Sequence, residues 1–154
     1  MIEINTVRLY LPESEFQRRV GADATPLTLY IQRLAMETEV FWQSRPEPAA
    51  GGMLIGVGVG LDRESRVWCE PVGGDLPPED ILELEEQLDA ISPLEVQGGP
   101  IAFGIEIRHA GRTDFEFPPF PRVWMEAASQ STEPITIPDG LFQLIWPDGM
   151  GSGE

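Results

Sequence analysis

The chain predicts a single α+β domain: a mainly antiparallel sheet of about four or five strands, with one long helix packed on a face and a second, acidic helix between strands. Three observations carry that expectation. Met53, Ile55, Val57, Val59 and Leu61 recur at period two, as do Ile101, Phe103, Ile105 and Ile107, which is the spacing of strands with a buried face. Ile81, Leu84, Leu88 and Ile91 instead follow helical spacing. Finally, 154 residues with four Trp and seven Phe suit one packed domain and argue against disorder.

In chain order, Ile2 to Leu11 alternates loosely and reads as a first strand or an extended arm. Pro12 to Val20 reads as a short helix stopped by Gly21. Thr25, as N-cap, and Pro26, in the first turn, open the long helix, whose apolar face holds Leu27, Tyr30, Ile31, Leu34, Phe41 and Trp42. The prolines at 46 and 48 end it near Ser44. Gly51 to Leu61 and Arg66 to Val72 form the next two strands. The first of these places Gly56, Gly58 and Gly60 on one face with Leu54. Such a smooth strip invites close packing, and the long helix is the expected cover; a ligand-contacting surface is the alternative.

The acidic helix spans Pro77 to Ile91, and Pro100 to Arg108 is the next strand. Residues 109–114 read as a turn, and Phe115-Glu116-Phe117 alternates briefly before Pro118 and Pro119 break the pattern. Arg122 to Ala128 suits a short helix. Thr136 to Gly140 suits a turn, with Asp139-Gly140 as turn residues, and Leu141 to Trp146 a short strand or helical turn. The domain is expected to cover 1–146, with 147–154 a flexible Gly-rich tail. Phe115, Phe117, Phe120, Trp124, Phe142 and Trp146 either close one end of the sheet or present an aromatic surface to a partner.

Charge is the strongest functional signal. The chain carries 26 acids against ten bases, all arginine, for a net charge of −16. Residues 51–100 hold 11 of the acids and two of the bases, so −9 of that charge lies in the middle third. Such a field repels nucleic acid and anionic membranes and steers basic proteins inward. Within the acidic helix, Glu79 and Asp80 suit the positive end of the dipole. The pairs Glu79/Glu83, Glu85/Asp89 and Glu83/Glu86 each cost the helix roughly 0.2–0.5 kcal/mol, and it contains no base to relieve them. Asp75, Glu79, Asp80, Glu83, Glu85, Glu86 and Asp89 are therefore the expected partner-binding surface, against the plainer reading of a solvated acidic face.

Catalytic and cofactor motifs are not expected. Gly56-x-Gly58-x-Gly60 lies inside a strand, whereas a dinucleotide or phosphate loop opens a helix. Cys69 and His109 are the sole members of their types, too few for zinc, and Cys69 reads as a buried structural thiol. A lone cysteine and an N-terminus without basic or long apolar segments fit a cytoplasmic location. The all-arginine base set suits a GC-rich bacterial genome. The expected function is neutralisation of a basic protein, toxin or effector, in the manner of an immunity protein or inhibitor. An acidic secretion chaperone, possibly homodimeric in keeping with that class, is the alternative binding role. A small carboxylate-dependent hydrolase is the reading from another class.

Overall fold

Residues 2–44, 51–74, 76–109, 115–132 and 134–147 are described by the structure, a computed structural model. The elements run β1 (Ile2–Leu9), α1 (Glu13–Val20), α2 (Thr25–Gln43), β2 (Gly52–Val59), β3 (Ser65–Val72), α3 (Pro78–Asp89), β4 (Ile101–His109), α4 (Arg122–Ser129) and α5 (Asp139–Ile145). The four strands pair antiparallel in the order β1-β4-β2-β3, so the α+β expectation holds.

Period two divides the sheet into two unlike faces. Met53, Ile55, Val57 and Val59 of β2 lie beside Ile101, Phe103, Ile105 and Ile107 of β4, all fully buried. Leu27, Tyr30, Leu34 and Phe41 of α2, Phe16 of α1, and Leu84 and Leu88 of α3 pack onto this face as the main core. At roughly 25 cal/mol per Å² of apolar surface, such side chains contribute about 1.5–3 kcal/mol each when fully buried.

The other face holds the glycines. Gly56 lies opposite Gly104 and Gly58 opposite Ala102, so the small residues of β2 and β4 form one trough. Its cover is not α2, as the sequence suggested, but α4, α5 and the prolines before α4. Phe142 and Trp146 sit on Gly58, Pro121 and Trp124 on Gly56, and Tyr10 on Gly104. Trp68, Trp124, Phe142 and Trp146 form a ring cluster with centroid separations of 5.3–6.2 Å, largely edge-to-face. The aromatic C-terminal third is thus a second core, and the sheet is covered on both sides.

Local details also differ from the sequence reading. α2 begins at Thr25 itself, with Ala24 before it; Asp23 Oδ1 accepts the Thr25 N–H at 2.9 Å. Asp139 and Gly140 open α5 in place of forming a turn, because Phe142 N–H reaches back to Pro138 O at 2.8 Å. Phe115 to Phe117 is irregular, and the Phe115 ring lies on Gly52 and Gly73. Of the expected turn at 109–114, His109 instead ends β4, and 110–114, with nearly all of the expected tail, 148–154, lie outside the described residues.

Arg19 ties the two layers together. Only 7% exposed, it donates Nη1 to Pro100 O and Asp139 Oδ1, each at 2.7 Å, Nη2 to Asp139 Oδ2 at 3.2 Å, and Nε to Glu15 at 2.9 Å. A buried guanidinium with this many acceptors is satisfied, and it joins α1 on one face to α5 on the other.

Candidate functional site

β3 forms one edge of the sheet, and an edge strand offers a row of backbone N–H groups to any other chain. Here α3 occupies that row. Val67 N–H donates to Asp89 Oδ1 at 2.8 Å and Cys69 N–H to Glu85 Oε2 at 2.9 Å. The next outward position at period two is Pro71, which has no N–H. The spacing explains the fit: four residues of helix rise about 6 Å, and two residues of strand about 6.6 Å. A carboxylate pair at i,i+4 therefore tracks alternate residues of a strand lying alongside. The Glu85/Asp89 pair, read from sequence as unrelieved repulsion, has an intramolecular role.

That role changes both carboxyls. Desolvation against β3 pushes Asp89 up to about 6, opposed by its bond from Val67 and reinforced by Glu85. The same burial raises Glu85, against the pull of the Cys69 N–H. Asp89 is exposed as a residue, yet its carboxylate rests on the strand; the direction follows from that contact. Cys69 itself is buried, and desolvation, with Glu85 and Asp89 nearby, raises its thiol well above the ordinary range. A nucleophilic thiolate needs the opposite environment.

The remaining acids of α3 face elsewhere. Glu79, Glu83 and Glu86 are exposed along one stripe, Asp80 is half-buried, and Leu82 stands 60% exposed among them. Asp75 lies outside the described residues. The predicted acidic set thus divides: two members are bonded to the sheet edge, three form an outward stripe, and Asp80 lies between.

A second polar group escaped the sequence reading. Glu106, on the trough face of β4, is only 2% exposed. It accepts Asn5 Nδ2 at 2.7 Å and pairs with Arg8 Nε. Asn5 reaches it because the β1–β4 register shifts between Ile4 and Thr6, so that two residues of β1 oppose one of β4. Asn5, Arg8, Arg108, Phe115 and Phe117 line a shallow cavity of about 350 Å³ over this carboxylate. Both of its arginines are paired, Arg8 with Glu106 and Arg108 with Glu3 at 3.8 Å. Among the described residues no group of three or more His, Cys, Asp or Glu is placed to hold a metal ion, and no helix is long and apolar enough to cross a membrane.

Comparison with protein-family models, with curated proteins and with solved structures gave no match, so the site is read from its own geometry.

Proposed function

We propose that the chain binds a basic protein through the outer stripe of α3, and that it neutralises that protein as an immunity protein or inhibitor does. The observation behind this reading is the division of labour on α3. Glu85 and Asp89 are bonded to β3, whereas Glu79, Glu83 and Glu86 project from a helix with no base of its own. An apolar side chain, Leu82, stands 60% exposed in the midst of that outer stripe. An exposed apolar anchor ringed by charge suits a contact in which acids steer the approach and the leucine is buried on docking.

The test is affinity capture from source cells with three baits in parallel. Wild type and Glu85→Gln/Asp89→Asn are expected to retain the same basic protein, and Glu79→Gln/Glu83→Gln/Glu86→Gln to lose it. Equal capture by all three, or capture of no basic protein, contradicts the reading.

A further inference from the structure

The two edges of the sheet are finished differently. At β3, carboxylates and a proline close the edge. Among the described residues no element pairs with the outer side of β1. Tyr10 N–H donates inward to Ala102 O at 3.0 Å, so at period two Val7 and Leu9 direct their backbone groups outward. Ile4 and Leu9 are 43% and 45% exposed, large apolar side chains on an open edge. We propose that this edge joins two copies of the chain by antiparallel β1–β1 pairing, making one continuous sheet.

The sequence of β1 is complementary to itself about a twofold axis passing between Asn5 and Thr6. That axis sets Glu3 opposite Arg8 and Ile4 opposite Val7. Residues opposite one another across antiparallel strands must share a face of the sheet. In an unbroken strand they would not, since Glu3 and Arg8 are an odd number of residues apart. The register shift between Ile4 and Thr6 restores the match. Glu3 then lies with Arg108, and Arg8 with Glu106, on the trough face. Ile4 pairs with Ile107, and Val7 with Ile105, on the helical face. A bulge that ordinarily spoils an edge here makes the edge self-complementary.

Charge and shape agree. Arg8 keeps 38% of its side chain exposed beyond its bond to Glu106, and Glu3 keeps 51%. Pairing extends each ion pair into a row of alternating sign: Glu106, Arg8, then Glu3 and Arg108 of the second copy. On the helical face, Leu9, Phe16, Val20 and Leu27 line a groove of about 430 Å³ beside the edge, within reach of the start of the second strand. The same surface serves both copies, as a closed twofold dimer requires.

Sedimentation of the full chain through the micromolar range is expected to give a mass of two chains, with slowed amide exchange at Val7 and Leu9. Glu3→Arg sets like charges opposite one another at two symmetric places, and is expected to weaken the dimer about tenfold or more. Ile4→Glu should act similarly. Both positions are exposed, so an unchanged circular dichroism spectrum verifies the fold. Glu83→Arg, on the far edge, should leave the dimer intact. A monomer at every concentration overturns the proposal. So does a dimer indifferent to Glu3→Arg and Ile4→Glu, which would place the contact on another surface.

Discussion

Gly58 gives the sharpest measure of the two-sided core. A Cβ at this position would stand 2.7 Å from Phe142 Cζ and 2.9 Å from both Phe142 Cε2 and Trp146 Cζ3. Ordinary carbon contacts lie near 3.5–4.0 Å, so each falls short by roughly 0.6 Å or more. Phe142 cannot retreat: it is fully buried, stacked on Trp68 at 5.7 Å and met edge-on by Trp124 and Trp146. Relief requires α5 to lift. Overpacking of this kind costs about 1–3 kcal/mol, offset by about 0.4–1 kcal/mol from the less flexible unfolded chain. Gly58→Ala should therefore lose about 1–2 kcal/mol, and Gly58→Val more, since it adds two further methyl groups. In a chain of this size that is a fall in Tm of about 2–8 °C for Gly58→Ala. A thermal melt followed by near-ultraviolet circular dichroism reads both stability and the tryptophan cluster. Phe142→Leu in the Gly58→Ala background should recover part of the loss, because the two changes share one contact. An unchanged melt for Gly58→Ala, or no recovery in the pair, would mean that the aromatic layer does not cover the trough.

Other consequences follow from the α3–β3 edge. Asp89 holds its proton more tightly folded than unfolded, so its contribution to stability is full below about 3.8 and is lost as pH rises through about 6. Denaturant titrations across that window should show stability falling with pH, and Asp89→Asn, which keeps an acceptor for Val67, should flatten the slope. Cys69 should react slowly with a thiol reagent in the native chain and quickly in denaturant, since both burial and nearby acids oppose its thiolate; fast native labelling would contradict the burial. Glu83→Gln/Glu86→Gln should raise the melting temperature slightly at low salt, and added salt should shrink the gain.

The sequence made the strongest periodicities legible. β2, β4 and α3 stand where alternation and helical spacing put them, and the small residues of β2 and β4 do share a trough. What covers that trough was not legible, because glycine carries no side chain to indicate its neighbour. Both faces of β2 are buried, so burial alone could not assign α2 to one of them. The aromatic cluster is built from segments far apart in the chain. The roles of Glu85 and Asp89 were hidden for a related reason: their i,i+4 spacing is visible, but the strand that accepts it is a tertiary neighbour. Glu106 was missed because nothing within β4 names its partners, and only the register shift at Asn5 brings them to it.

The proposal that the outer stripe of α3, and not its inner pair, meets a basic protein is tested most directly by association kinetics with any basic protein that the capture retains. The on-rate would be followed by stopped flow at low and physiological ionic strength. Glu79→Gln/Glu83→Gln/Glu86→Gln should slow association and flatten its salt dependence, since steering charges act on the encounter. Glu85→Gln/Asp89→Asn, which removes two charges already bonded to β3, should leave the on-rate close to wild type. Equal slowing by both variants would show that the whole helix acts only through net charge. No slowing by the outer variant would place the contact away from α3.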